Sequence, residues 1–293
     1  MIFTRNQEEE TLVNNFKDQL KVFDKFHFEE EPHIYWWLDK NGNRCQAQTS
    51  MTALIHSHSQ PFDAEKIAPF TAKKLGIPIQ DVLDMWKLDN DLAKIKGTHI
   101  HAYNEYMWSN RNYTYPKDKV VAQFGYDILE SLWSNLTKIA DSFYNAYKDR
   151  IIPIGLELVV GDEELGICGS IDFLCYSRKL NSLVILDYKS NKEIKFESYK
   201  GQKMTGCLSH LDDCNYIQYS LQLNGYQYIL ERNTGLKLHN EHYLIWMNEN
   251  NDNYKIYKTK DLYKEAKDML LECKANKPIE HTDLPITRKE NFE

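Results

Sequence analysis

The stretch that most constrains this chain lies between residues 154 and 189, where three short apolar, β-branched runs follow one another with brief polar breaks. Ile154 to Val160, Gly166 to Tyr176 and Leu183 to Lys189 are separated by Gly161-Asp162-Glu163-Glu164 and Arg178-Lys179-Leu180-Asn181. Such runs, bounded by turn-forming residues, predict three neighbouring strands. On either side the apolar spacing is helical. Leu12, Val13, Phe16, Leu20 and Phe23 recur at threes and fours, which predicts an amphipathic helix over Gln7 to Phe23. Asp118 to Tyr147 reads as one long helix, about Tyr216 to Arg232 as another, and Lys260 to Ala275 as a closing one. Strand candidates at His242 to Met247 and Tyr254 to Tyr257 fall between the last two.

Before the centre, His33 to Asp39 and Arg44 to Gln48 flank Lys40-Asn41-Gly42-Asn43, and Asn-Gly between such segments is a strong hairpin signal. Ser50 to about Trp108 is helical, broken near Pro61, Gly76 and Pro78 and expected to restart after a turn at Gly97. With 293 residues and 42% apolar content, one core carrying a helical insertion accounts for the pattern. The fold class expected is mixed α/β: a hairpin and helical elaboration over 1–95, a core over 96–280, and a polar tail over 281–293.

Several classes are excluded or disfavoured early. Apolar runs such as Ser182 to Leu186 are far shorter than the roughly 20 residues a bilayer crossing needs. The first ten residues turn acidic without an apolar h-region, which argues against a secretory signal and for an intracellular chain. Cysteines at 45, 168, 175, 207, 214 and 273 include no C-x-x-C pair and are expected as free, mostly buried thiols. A net charge of −7 rules out a simple polycation but permits a local basic channel around a carboxylate site.

The chemistry concentrates in Gly169-Ser170-Ile171-Asp172 and Asp187-Tyr188-Lys189. In a strand, residues i and i+2 share a face, so Asp187 and Lys189 project together, and the short 178–181 loop brings Asp172 alongside. Two carboxylates with room for water are what a hard divalent cation needs, and the lysine is placed to orient or activate a water. An acid-x-Lys triplet alone is weak: Glu193-x-Lys195, Glu265-x-Lys267 and Glu272-x-Lys274 recur in polar or helical settings. A solvated strand-end pair, worth about 0–1 kcal/mol, is the bland alternative. Glu157, an acid amid apolar neighbours, needs a partner or metal. His101 and Glu105 share a helix face at i and i+4, and His101 offers an imidazole ligand. Gln222 and Tyr226 share a face of the later helix.

Taken in order, Gly97-Thr98-x-x-His101, Glu157, Gly169-x-x-Asp172, Asp187-x-Lys189 and Gln222-x-x-x-Tyr226 resemble the RecB-like branch of the PD-(D/E)XK nuclease superfamily, which includes the mitochondrial genome-maintenance exonucleases. The resemblance spans about residues 97 to 226. It implies a restriction-endonuclease-like core, a mixed β-sheet flanked by helices, and metal-dependent hydrolysis of DNA. It further implies His101, Asp172, Asp187 and the Tyr188 carbonyl as metal ligands, with Glu157 as a ligand or supporting acid. Lys189 is the catalytic lysine by the same implication, while Gln222 and Tyr226 brace the site and contact the DNA strand. Ile171 stands where the superfamily's eponymous proline would be. Cys207, Cys214 and Cys273 do not reproduce the four-cysteine pattern of iron–sulfur relatives, so no cluster is expected. No Gly-x-x-x-x-Gly-Lys-Ser/Thr loop occurs, so unwinding would fall to a helicase or recombination partner.

The expected cofactor is Mg²⁺ or Mn²⁺, with Mn²⁺ favoured by the imidazole. The expected substrate is DNA, single-stranded or with free ends. Lys189, Lys192, Lys195, Lys200, Lys203, Lys87, Lys94 and Lys96 are candidates for a channel, and Trp86, Tyr103, Tyr106 and Trp108 for base stacking, though aromatics are more often core. Two other readings compete. One is a nucleic-acid-binding protein of the same fold without turnover. The other is a zinc hydrolase built on His56-x-His58 or His99-x-His101, which lacks a recognisable third ligand in sequence. Lys- and Asn-rich usage is compatible with a phage-encoded chain.

Overall fold

The computed structural model describes residues 6–109 and 125–276. Helix α1, Gln7–Leu20, starts at a capping box in which Asn6 and Glu9 satisfy each other's backbone N–H groups. Strands β1 (Phe26–Glu29), β2 (Ile34–Leu38) and β3 (Arg44–Gln46) form an antiparallel sheet in that order. The expected hairpin is its β2–β3 half: Asp39 Oδ1 accepts from the N–H groups of Asn41 and Asn43 at 2.8 Å each, and Gly42 takes a positive φ of 81°. The third strand, β1, was not expected.

The chain then enters the main sheet through a two-residue strand β4, Thr49–Ser50, followed by α2 (Met51–Ser57), α3 (Ala64–Leu75) and α4 (Ile79–Ser109). Helix α4 runs without a break through Gly97, contrary to the expected restart there. A Cβ on Gly97 would touch Ser190 Oγ at 3.9 Å, and Ile100 three residues on is fully buried. The buried Ile100 face of α4 therefore keeps in the helix a residue whose helix propensity is about 1 kcal/mol below that of alanine. The boundary between residues 95 and 96 falls inside α4.

Helix α5, Tyr126–Tyr147, is the described part of the long helix expected from Asp118; Val121, Phe124 and the 281–293 tail lie outside the described residues. Strands β5 (Ile151–Asp162), β6 (Ile167–Ser177) and β7 (Ser182–Lys189) follow as antiparallel neighbours. Then come α6 (Asn215–Thr234), β8 (Tyr243–Trp246), β9 (Lys255–Lys258) and α7 (Tyr263–Asn276). The sheet runs β4-β6-β7-β8-β9 with β5 on the other side of β6; β4–β6 and β7–β8 pair in parallel and the rest antiparallel. This is a mixed α/β fold. One apolar core joins the sheet to α1, α2, α6 and α7, through residues such as Ile185, Leu221, Ile229 and Leu270. A second, on the other face, joins it to α4 and α5 through Ile100, Trp108, Phe143, Phe173 and Leu186. The cysteines are thiols, and Cys45, Cys168, Cys175 and Cys214 are buried. Among the described residues, no helix is long and apolar enough to cross a membrane.

Candidate active site

The site is assembled where β5, β6 and β7 lie side by side under α4. One step beyond the register pair Phe173↔Leu186 the acids of β6 and β7 become neighbours, and the Tyr188 N–H donates to Asp172 Oδ2 at 2.8 Å. On the opposite edge, the pairs Leu156↔Phe173 and Leu158↔Ile171 bracket Glu157 across from Asp172. Glu157 has a φ of 44°, the left-handed region that costs a residue with a Cβ about 1–2 kcal/mol. The strain sits beside the acid cluster, where such outliers tend to gather.

Helix α4 lowers His101 onto this cluster. Its Nδ1 lies 3.3 Å from Glu157 Oε1, and its Nε2 lies 3.2 Å from the Tyr188 carbonyl oxygen and 3.5 Å from Asp172 Oδ2. Both ring nitrogens thus face oxygen acceptors, which suits an imidazolium. Burial pushes the His101 imidazole down, but Asp172 and then Glu157 outweigh it and hold the group at about 9. On β7, Asp187 Oδ2 lies 2.5 Å from Lys189 Nζ, which also stands 4.7 Å above the Tyr219 ring. Burial drives Asp187 up to about 6, against the pull of Lys189. Asp172 is likewise raised by burial, with His101 opposing. Burial disfavours the Lys189 cation, yet Asp187 and Asp172 hold it above its ordinary value, so Lys189 stays charged.

Three carboxylates therefore converge with one lysine and one histidine, so with all three ionised the cluster carries one excess negative charge when His101 is protonated and two when it is neutral. One ligand atom each from His101, Glu157 and Asp172 lies within 4.8 Å of the others. Two carboxylates, an imidazole and the nearby Tyr188 carbonyl are an oxygen-rich donor set that fits Mg²⁺ or Mn²⁺, and an added divalent charge would offset the raised carboxylates. Asp187 is outside that trio, drawn to Lys189.

Gln222 and Tyr226 lie behind the cluster. A Cβ on Gly169 would sit 2.5 Å from Tyr226 Oη, so the glycine is what lets this ring pack against β6. Gln222 hydrogen-bonds Tyr226 and reaches Thr52 Oγ1 at 3.4 Å. With 3% of its surface exposed, Tyr226 is buried against Gly169 of β6 and presents almost no surface to solvent.

Two residues near the cluster escape the sequence reading. Tyr219 carries the ring under Lys189; it stands at i, i+3, i+7 with Gln222 and Tyr226, so extending that helix face would find it. Tyr35, on β2, is pushed up to about 12 by burial, with Cys168, Glu157 and Asp172 adding to the effect. It comes from a different sheet, and no local pattern signals it. Of the channel candidates, Lys96 is paired with Glu249 at 2.7 Å and Lys203 with Asp212 at 2.6 Å, whereas Lys192, Lys195 and Lys200 are exposed. Trp108 is a core residue, Tyr103 donates to Asp141 at 2.7 Å, and Trp86 packs against exposed Phe62. His99 belongs to the core, stacked near Tyr103 and Trp133.

No protein-family model and no curated protein matches the chain. Among solved structures it is similar to the crystal structure of a protein named "Putative exonuclease" from Eubacterium rectale, at 15% identity and a TM-score of 0.33, covering 68% of this chain and 76% of that one. A likeness of that size says nothing of activity, so the functional reading rests on the residues.

Proposed function

We propose that this protein is a divalent-metal-dependent nuclease of the RecB-like PD-(D/E)XK type, hydrolysing phosphodiester bonds in DNA from ends or in single strands. The observation that carries the reading is the meeting of His101 from α4 with Glu157, Asp172 and the Asp187–Lys189 pair on adjoining strands. These are the residues whose order along the chain carries the resemblance.

Bound Mg²⁺ or Mn²⁺ would supply Lewis acidity toward the phosphate oxygens and a more acidic water. His101, Glu157, Asp172 and the Tyr188 carbonyl are the groups that would hold it, with Asp187 alongside. Water attacks phosphorus and gives up a proton to solvent, a new P–O bond forms, the bond to the leaving 3′ oxygen breaks, and that oxygen takes a proton from solvent. Lys189, held as a cation by Asp187 and Asp172, is not a general base; its charge favours hydroxide over water and holds the nucleophile in line. Asp187 keeps the ammonium in place, and Tyr219 limits its movement from below. Gln222 and Tyr226 set the position of β6, and therefore of Asp172. Helicase or recombination partners would deliver the strand.

The test is cleavage of end-labelled linear single- and double-stranded DNA and of a closed circle, with Mg²⁺, Mn²⁺ or EDTA. The expected result is metal-dependent shortening of the linear DNA, faster with Mn²⁺, with the circle spared and activity lost in Lys189→Ala. Cleavage that survives EDTA or Lys189→Ala refutes the mechanism. DNA binding without cleavage in either metal favours the non-hydrolysing alternative, and nicking of the circle favours an endonuclease.

A further inference from the structure

A second ligand cluster lies apart from the candidate active site. His58, Cys207 and Glu272 bring one ligand atom each to within 4.8 Å of one another. They come from three elements remote in sequence: His58 is the C-cap of α2, Cys207 lies in the 3₁₀ turn Gly206–Leu208, and Glu272 lies on α7.

The backbone fixes the tautomer of the histidine. Thr205 N–H donates to the His58 carbonyl at 2.7 Å, and His58 Nδ1 lies 3.1 Å from the Thr205 carbonyl oxygen. A carbonyl can only accept, so Nδ1 carries the proton and Nε2 keeps its lone pair. A backbone carbonyl on the far ring nitrogen is the usual way a metal-bound imidazole is held. Gly206 has a φ of 60°, and a Cβ there would lie 3.1 Å from His58 Nδ1 and 3.2 Å from Cε1. The glycine therefore lets the turn close on the ring. His58 and Glu272 also border a cavity of about 400 Å³, whose wall includes Cys273.

A thiol, an imidazole and a carboxylate form a borderline-soft donor set that suits zinc over Mg²⁺. We propose that His58, Cys207 and Glu272 form a zinc site, open to a fourth ligand on the cavity side, that clamps α2, the Gly206–Leu208 turn and α7 together. Zinc bonds of about 2.0–2.3 Å place ligand atoms about 3.5 Å apart. Exposed Cys207 and Glu272 would reach that spacing by rotamer changes. On binding, the Cys207 thiol proton passes to solvent and the thiolate bonds the metal. Without a cation nearby the thiol is a poor nucleophile, because partial desolvation and Glu272 push it up to about 12. That weighs against a Cys–His catalytic pair here. The site is independent of the nuclease reading.

The test uses the reduced full chain and Co²⁺ as a spectroscopic substitute for Zn²⁺. The expected result is a near-ultraviolet thiolate-to-cobalt charge-transfer band that Zn²⁺ abolishes and Mg²⁺ does not. The band should vanish in Cys207→Ala and Cys207→Ser, weaken at least tenfold in apparent affinity in His58→Gln, and persist in Asp172→Asn. Both cysteine variants should keep the wild-type circular dichroism, since the side chain is exposed. A wild-type chain without the band at saturating Co²⁺, or a band that survives Cys207→Ala, overturns the proposal.

Discussion

The strand that carries Asp187 and Lys189 is held by a histidine that has to stay neutral. His242, fully buried, accepts from the Ile185 N–H at Nδ1 (3.2 Å) and contacts Gln227 Oε1 through Nε2 at 2.9 Å, so the proton is on Nε2. Protonating Nδ1 would set one N–H against another. Burial first, and His239 second, lower His242 from 6.5 to about 3. The unfolded chain takes up this proton as pH falls through 6.5 and the folded one does not until about 3. The stabilisation is therefore complete above about pH 6.5, falls by about 1.4 kcal/mol per pH unit below it, and is gone below the folded value. Between pH 7 and pH 5 the loss from His242 is about 2 kcal/mol, since pH 5 lies above the folded value and the unfolded value alone sets the cost. His99, lowered to about 4 by burial, adds a similar loss. The perturbation is His242→Asn, whose side-chain oxygen can still accept from Ile185, and the assay is urea unfolding followed by circular dichroism at pH 7 and pH 5. Any cost of losing the Gln227 contact is the same at both pH values and cancels. Wild type should lose about 2 kcal/mol more than the variant over this interval. Equal losses in the two proteins would refute the reasoning.

Further expectations concern the site itself. Glu157→Gly and Glu157→Ala both lose the carboxylate and its His101 contact, but only the first removes the Cβ from a positive-φ position; both should abolish metal-dependent cleavage, the glycine variant should be about 1 kcal/mol more stable than the alanine one, and equal stabilities would show that the backbone is not strained there. Gly169→Ala drives a Cβ to 2.5 Å from Tyr226 Oη and should cost about 1–3 kcal/mol by chemical denaturation; a change below a few tenths would mean the ring moves aside freely. Calorimetry with Mn²⁺ should detect binding that Asp172→Asn weakens at least tenfold, and undiminished binding in that variant would place the ion elsewhere.

The sequence by itself determined the elements whose patterns are local: three apolar, β-branched runs read as strands, and the 3.6-residue spacing of Leu12, Phe16 and Leu20 reads as a helix. It also placed Asp187 and Lys189 on one face, since strand geometry alone decides that. Tertiary structure decided what is non-local. Gly97 is helical because the core around Ile100 holds α4 in place, overriding its propensity. Glu157 meets Asp172 through the β5–β6 register, at a left-handed φ that no residue type announces, and Tyr35 arrives from a separate sheet. The two His-x-His pairs show the same division. His99 and His101, two residues apart on a helix, point to a core and to an acid cluster respectively, while His58 finds partners 149 and 214 positions away. Spacing along the chain carries no record of such meetings, because they are set by how helices and strands pack once each has formed.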